Sequence, residues 1–557
     1  MSQTVWAELL VASLADAGVA TCVISPGSRS TPIVAALARE PRIEIVTIID
    51  ERAAAFFALG AARATGQPVA IACTSGSAAA HYLPAVIEAS MAGYPLVAIT
   101  ADRPPELQQC GASQTIDQIE LYGSFVRGAF DLGAPVASEL ALRGLRRKVL
   151  QAVALARGPV PGPVHLEVPL RKPLEPTAPT TDAERTCVRF AVELRSATRD
   201  VVVAVPHLAP DPAAIAALAA AIAGEPRGLI VAGALPATFA ARDAVFALAA
   251  RAGYPIVAEA GSQLRFGPRP ADVVFVDHFD LIPDLLAPGL IVQLGAEPVA
   301  AAWPAFVRGA AQRFVLAGTS HHDPDSAARA VILGDLAATL HALSEIQTVA
   351  IGRGEWVARW RELEDRAVRA LDEALAELPD SETAQLRALI DTLPEGVTLQ
   401  IGNSLPIRTI DHAAAGGPAR TVITQRGAAG IDGMIASAAG ATLAGKPVVL
   451  VLGDVSFVHD LGGLLAAREA RAPLTIVVID NGGGQIFAGL PVADAGLGAA
   501  FDRHWLTPPG VDPVAIATAL GIRTLIHIPV SATGARDVRQ LARTRHGHTT
   551  TQLRRKS

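Results

Sequence analysis

Cysteine is scarce: four residues in 557, Cys22, Cys73, Cys110 and Cys187, stand far apart and without any paired metal spacing. That excludes a disulfide framework and a zinc ribbon, and it points to reduced thiols in the cytoplasm. Charge is also sparse, at 18% of residues, and nearly balanced, with 47 Lys and Arg against 53 Asp and Glu for a net −6. Almost all the positive charge is Arg, and no basic block occurs before the last few residues, which excludes an extended nucleic-acid footprint. No apolar run reaches the roughly 18 residues that a membrane span needs. The amino-terminal MSQTVWAELLVASLADAG carries Glu8 and Asp16 where a signal peptide would be basic and then apolar, so it reads as an amphipathic helix. What the chain does have is apolar mass, 51% of its residues, with glycine and proline dispersed among strand-like and helix-like runs. Such a composition builds packed α/β domains and leaves little room for disorder away from the ends.

The length permits three or four domains. From the amino terminus strand and helix alternate: strand 19–25 and a helix from about Ser30, strand 43–50 and helix 53–64, strand 68–73 and a helix from Ala78, then strand 96–100. That alternation predicts a parallel, doubly wound sheet, and the residues of interest fall just after its strands. SPGSRSTP (25–32) is a tight turn feeding a helix amino terminus, with Arg29 placed to meet an anion. Glu51 follows the apolar run IEIVTII, where burial would raise its pKa and suit it to proton transfer, although a carboxylate satisfying backbone donors at a helix start reads the same way. TSGS (74–77) and ADRPP (101–105) complete the loops of this edge. A Pro- and Thr-rich stretch at 158–184 closes a first domain of residues 1–180. Renewed alternation from about Val201 to Ser344 sets a central α/β domain at 195–350, whose HHDPD (321–325) reads as a loop rather than a metal site. A helix at 356–378, charged on one face, leads into a third domain, 380–557.

The third domain holds the sharpest spacing. LQIGNSLPIR (399–408) and, after the strand TVIT, QRGAAGIDG (425–433) bring Arg408 and Arg426 to one sheet edge. PVVLVL (447–452) is a strand buried on both faces that stops at Gly453-Asp454. Asp460 is expected to cap a helix running to about Arg471, Pro473 ends it, and the strand LTIVVI (474–479) closes on Asp480-Asn481-Gly482-Gly483. This βαβ unit places Asp454 and Asn481, 27 positions apart, at the carboxyl edge of two parallel strands, where open α/β sheets bind ligands. One carboxylate, one amide oxygen and a nearby carbonyl suit Mg²⁺ with positions left for phosphate oxygens, and the glycines admit a phosphate close to the backbone. An ordinary crossover with a surface Asp and a turn Asn-Gly fits the same spacing.

Gly-Asp followed at this distance by Asn resembles the magnesium-diphosphate motif of thiamine diphosphate enzymes. SPGSRSTP, DERAAAFFALGAARATG, TSGSAAA, TADRPPEL and CGASQTIDQ, in this order, and then GNSLPIR, QRGAAGIDG, GDVSFVHDLGGL and NGGGQIFAGLP, resemble one family of them. It is the 2-succinyl-5-enolpyruvyl-6-hydroxy-3-cyclohexene-1-carboxylate (SEPHCHC) synthase family, carboligases of menaquinone biosynthesis. The resemblance covers residues 1–170 and 380–510 strongly and the middle in layout only. It implies three doubly wound parallel-sheet α/β domains, the first binding the pyrimidine and the third the diphosphate. It implies decarboxylation of 2-oxoglutarate and 1,4-addition of the succinyl carbanion to isochorismate. Glu51 would be the catalytic carboxyl bonded to the pyrimidine nitrogen. Asp454, Asn481 and the Gly483 carbonyl would hold Mg²⁺, for which Mn²⁺ can substitute. Ser75, Gly76, Gly453, Val455, Ser456 and Gln485 would line the cofactor with Glu51, and Ile486, Phe487 and Leu490 would wall the thiazolium, although core packing explains those three equally well. Ser28, Arg29, Arg103, Gln114, Arg408 and Arg426 would take the substrate carboxylates. In the family Glu51 of one subunit meets the diphosphate anchored by another, which implies a homodimer or homotetramer.

Three departures stand against this pattern. Leu294-Gly295 leads into AEPVAAAWP, with Ala301 and Ala302 where family members often place basic residues, and Ser113 stands where some relatives carry Asn. The stretch from Ser531 to Ser557 is expected to lack the closing helix and last apolar strand, leaving a disordered tail or a sheet short of an edge strand. Two other readings remain at this point. One is another thiamine diphosphate-dependent 2-oxo-acid carboligase or decarboxylase, against which the arginines and GASQ count. The other is a non-catalytic binding or regulatory subunit of the same fold, against which Glu51, Asp454 and Asn481 count.

Overall fold

The computed structural model describes residues 2–197, 203–346 and 353–554. Three parallel sheets follow one another along the chain. The first holds β1 (Thr21–Ile24), β2 (Glu44–Thr47), β3 (Val69–Cys73), β4 (Leu96–Asp102), β5 (Ala129–Asp131) and β6 (Val164–Pro169), in the order β2-β1-β3-β4-β6-β5. The second holds β7 (Gly228–Ala232), β8 (Ile256–Ala258), β9 (Phe275–Val276), β10 (Leu290–Leu294), β11 (Gln312–Ala317) and β12 (Ala330–Leu333), in the order β12-β11-β10-β7-β8-β9. The third holds β13 (Thr398–Ile401), β14 (Thr421–Thr424), β15 (Val448–Gly453), β16 (Leu474–Asp480) and β17 (Leu525–Pro529), in the order β14-β13-β15-β16-β17. The expectation of three doubly wound parallel sheets therefore holds. β3, β4 and β6 are buried at every position, as strands covered by helices on both faces must be, and they read as runs rather than alternations for that reason.

The winding reverses once in the second and third sheets, and in the first it reverses beside β1 and turns back again from β5 to β6. In the first sheet the switch lies between β1 and β3, in the third between β13 and β15. A Cβ on Gly402, just after β13, would stand 2.9 Å from the Val451 carbonyl, so only glycine lets that loop leave beside β15.

The first and third sheets share one core, built on the helices Glu51–Thr65 and Met434–Ala441. These helices touch backbone to backbone: a Cβ on Gly60 would collide with the Ser437 carbonyl, and one on Gly440 with the carbonyl of Phe57. Gly60 and Gly440 are therefore a packing requirement at this contact.

Four expectations need correction. β6 falls inside the Pro- and Thr-rich stretch 158–184, and the helix Asp182–Ala197 buries Cys187, Ala191 and Leu194 in the first sheet's core, so that core extends beyond residue 180. The helix after β15 starts at Asp454 itself and ends at His459, and a second short helix spans Gly463–Ala466. Asp460 starts neither of these: it is the carboxyl-terminal cap of the first, its amide donating back to the Ser456 and Phe457 carbonyls at 3.2 Å. Its Oδ2 accepts from the amides of Ile435 (2.7 Å) and Ala436 (3.2 Å), the second and third residues of the helix Met434–Ala441. The carboxyl-terminal stretch does carry a helix, Gly534–Arg554, whose Val538 and Ala542 are buried with Trp356, Trp360, Leu363 and Ala367. Its partner is the helix Gly354–Glu377, so the tail is fastened outside the third sheet; its last residues, 555–557, lie outside the described residues, as do the expected central-domain start at Val201 and its end at 347–350. The third sheet nonetheless stops at β17, five strands against six in the first, with no counterpart of β5 among the described residues.

Candidate active site

The loops after β1 and β3 interlock at the first switch point. Gly27 packs against Thr74, and the Arg29 amide donates to Thr74 Oγ1 at 3.2 Å. The Arg29 guanidinium is buried, donates to the Leu170 carbonyl at 2.7 Å and leaves Nε unpartnered. Ser28 beside it is exposed. Arg103, at the end of β4, donates to Ser75 Oγ, and Gln114 Nε2 donates to the Ser75 carbonyl at 3.0 Å. Burial first, and then the neighbouring charge of Arg103, pulls the Arg29 pKa down. Glu51 opens its helix at the same edge, half-buried, and its carboxylate makes no hydrogen bond or ion pair within the described chain. The helix-capping role belongs to its neighbour: Asp50 Oδ1 accepts from the amides of Arg52 (2.9 Å) and Ala53 (3.4 Å). Glu51 is left free to bond something else.

Asp454 and Asn481 leave adjacent strands of the third sheet, with Gly453 of β15 paired to Ile479 of β16. Asp454 Oδ1 accepts from the Val455 amide at 2.8 Å and Oδ2 from the Gly483 amide at 2.6 Å, which draws the 481–484 turn over the end of β15. Burial pushes the Asp454 carboxyl up to about 6, against the pull of those two amides. Asn481 is buried; its Nδ2 donates to Glu382 Oε2 at 2.9 Å while its Oδ1 has no partner. Gly483 sits at φ +113°, and a Cβ there would collide with the Leu506 carbonyl, so the turn has its shape only with glycine. Its own carbonyl accepts from the Gln485 amide at 2.8 Å and keeps a second lone pair. An orphaned buried amide oxygen and a turn carbonyl after β16, beside a buried carboxylate after β15, fit a hard divalent cation. Ser456 is buried, whereas Gly453, Val455, Gln485 and Ile486 are half-buried. Phe487 and Leu490 are 36% and 47% exposed, so core packing is not what they do.

Arg408 and Arg426 reach the same edge. Arg408 donates to the Ser404 carbonyl at 2.7 Å, Arg426 makes no hydrogen bond, and burial followed by the charge of Arg426 lowers the Arg408 pKa. The Arg426 loop is held from the first domain. Glu88 accepts from the amides of Gly427 (3.0 Å), Ala428 (2.5 Å) and Ala429 (3.2 Å), and Arg63 bridges Glu88 to Gln425 Oε1 (3.1 Å). Sequence reading missed this buried pair because its partners lie more than 330 positions away. It also missed a polar cluster under the first site. Glu167 takes bonds from Thr100 and Gln118, Gln118 Oε1 accepts from the Gly76 amide at 2.7 Å, and burial pushes Glu167 and Asp102 both to about 7. The alternation H-L-E in β6 was the available signal, a strand placing two polar groups on a buried face.

Ala301 and Ala302 precede the short helix Trp303–Arg308; Ala302 N donates to Asp280 Oδ1 at 2.8 Å, and the same carboxylate pairs with Arg539 (2.7 Å) and His412 (2.8 Å). Arg313 on β11 is engaged with Glu297 (2.9 Å) and Asp323 (3.2 Å), which also explains the loop at 321–325. Among the described residues no group of three His, Cys, Asp or Glu is arranged to hold a metal, and no helix is long and apolar enough to cross a membrane. All four cysteines are free, with only Cys110 exposed.

Two family models match, described as thiamine pyrophosphate enzyme, N-terminal TPP binding domain, over residues 5–121, and thiamine pyrophosphate enzyme, C-terminal TPP binding domain, over residues 409–550. The benzoylformate decarboxylase of Polynucleobacter necessarius has the same fold, with a TM-score of 0.71 at 17% identity over 95% of this chain and 98% of that one. A 2-succinyl-5-enolpyruvyl-6-hydroxy-3-cyclohexene-1-carboxylate synthase of Sorangium cellulosum is 42% identical over 93% of this chain and 87% of its own length. Proteins of the same name from Geobacillus kaustophilus (41%, covering 88% and 85%) and Haloarcula marismortui (39%, covering 91% and 88%) are similar over nearly the same span. With both thiamine pyrophosphate domains matched and such identity over about nine-tenths of its length, this chain belongs to the SEPHCHC synthase family of thiamine diphosphate enzymes.

Proposed function

We propose that the protein is a SEPHCHC synthase of menaquinone biosynthesis, which decarboxylates 2-oxoglutarate and adds the remaining four-carbon unit to isochorismate. The observation that carries the reading is the pairing of like charges at two sheet edges, Arg29 with Arg103 on the first and Arg408 with Arg426 on the third, the edge that also carries Asp454 and Asn481. Partly buried guanidiniums held near one another are stabilised by anions between them, and both substrates carry carboxylates. Thiamine diphosphate, when bound, supplies a carbanion-stabilising thiazolium, and the protein orients it. Glu51 would then hold a proton at the pyrimidine nitrogen, since its carboxylate has no other bond to make. Asp454, the free Asn481 Oδ1 and the Gly483 carbonyl would hold Mg²⁺ against the diphosphate. The exposed Phe487 and Leu490, with Ile486, would keep water from the reacting carbon. Ser28, Arg103, Gln114, Arg408 and Arg426 would bind carboxylates, each well-formed charged hydrogen bond contributing about 1.5–3 kcal/mol. Arg29 would bind one as well, through the guanidinium N–H groups that its bond to the Leu170 carbonyl leaves free.

Because Glu51 shares no hydrogen bond or ion pair with the Asp454 turn among the described residues, we place the complete site between two copies, in a homodimer or homotetramer working in the cytoplasm. The test is CO₂ release by purified protein with thiamine diphosphate and Mg²⁺. 2-Oxoglutarate should be decarboxylated and pyruvate should not. Turnover of pyruvate in preference would favour a different 2-oxo-acid carboligase.

A further inference from the structure

Glu382 is 1% exposed, and its carboxylate has two side-chain partners, Asn481 Nδ2 at 2.9 Å on Oε2 and Thr409 Oγ1 at 2.9 Å on Oε1. A carboxylate buried this deeply between two side-chain donors is an expensive way to stabilise a fold, because its desolvation opposes what the bonds return. What it does uniquely is remove an ambiguity. The two ends of an asparagine amide differ only in being donor or acceptor, and an ionised carboxylate accepts only, so Nδ2 must face Glu382 and Oδ1 must face away. That is the orientation in which Oδ1 is left buried and unpartnered, in the same turn that Asp454 draws in through the Gly483 amide. Glu382 opens the helix Glu382–Thr392, and Thr409 stands beside Arg408 on the helix Leu405–Ala413.

We infer that Glu382 is a positioning residue for the cation site, fixing the Asn481 amide so that its oxygen rather than its nitrogen is offered to the metal, with Thr409 holding the carboxylate in place. The inference rests on the thiamine diphosphate reading above. Groups behind a ligand of this kind alter metal affinity about 10–100-fold when removed.

Mn²⁺ serves as the probe: free and bound ion are separated by electron paramagnetic resonance during titration of full-length protein with saturating thiamine diphosphate, and urea unfolding of the same samples reports folding. Glu382→Ala should weaken Mn²⁺ binding by about 10–100-fold. Glu382→Gln, whose amide can turn its oxygen or its nitrogen toward Asn481, restores the ambiguity in part and should bind Mn²⁺ more weakly than the parent but more tightly than alanine. Should the alanine variant not fold, Thr409→Val loosens the carboxylate from the other side and should weaken binding several-fold. Unchanged Mn²⁺ affinity in the folded Glu382→Ala protein, or in Thr409→Val if only that one folds, overturns the inference, as does a glutamine variant as weak as alanine. Asp454→Ala separates the two levels. Loss of Mn²⁺ in that variant with none at Glu382 sinks the positioning role alone, whereas retention of Mn²⁺ in Asp454→Ala removes the cation site itself.

Discussion

Glu88, Glu167 and Glu382 are each at most 3% exposed, and each carboxylate holds something other than a salt-bridge partner at the surface: a loop, a polar cluster, an amide. Glu167 gives the clearest pH signature. Burial raises its folded pKa to about 7, above the roughly 4.3 of an unfolded glutamate, so its contribution to stability is full at low pH and is lost as pH rises through 7. His165 beside it works in the other direction. Burial lowers it to about 4, so its contribution is present above about 6.5 and is lost as pH falls toward 4. Glu167→Gln removes the first of these opposing trends. Between pH 5 and pH 8 the variant should lose roughly 2–3 kcal/mol less stability than the parent, read from urea unfolding at the two pH values. Parallel pH profiles in the two proteins would show that Glu167 is ionised like any surface carboxylate.

The helix pair Glu51–Thr65 and Met434–Ala441 sets how the first and third sheets meet, through Gly60 against Ser437 and Gly440 against Phe57. Gly60→Ala places a methyl group on a backbone carbonyl that cannot yield as a side chain would. It should cost at least about 1–3 kcal/mol in urea unfolding despite alanine's better helix propensity. A stabilised variant would mean that the helices are not in contact there. At this scale the sequence was readable where a strand is buried on both faces, as in β15 and β16, because runs such as VVLVLG and LTIVVID admit one interpretation. It misled where a side chain serves an element elsewhere. Asp460 looks like the N-terminal cap of the segment that follows it, but its side chain caps a helix 25 positions earlier, and Val538 and Ala542 find their apolar partner in the helix Gly354–Glu377 rather than in a strand of their own sheet. The candidate site divides in the same way. Loops after strands disclosed Glu51, Asp454, Asn481 and the arginines, whereas Glu88 and Glu382 sit within helices with no local mark, and only the fold joins them to residues 339 and 99 positions away.

At the scale of the whole molecule, Glu51 and the Asp454 turn belong to one chain but are proposed to act on one cofactor across two. Glu51→Gln and Asp454→Ala should each abolish turnover alone. A co-expressed mixture should recover about a quarter of parental activity, since half of randomly paired dimers are mixed and each carries one intact site. No recovery would mean that each chain completes its own site. The identity of the reaction has a more direct test. Purified protein is supplied with thiamine diphosphate, Mg²⁺, 2-oxoglutarate and isochorismate, and the products are weighed by mass spectrometry. The expected result is CO₂ together with an adduct of isochorismate and the four-carbon remainder of 2-oxoglutarate, formed only when both substrates are present. Decarboxylation with no adduct in the presence of isochorismate, or an adduct built from pyruvate instead, would contradict the account.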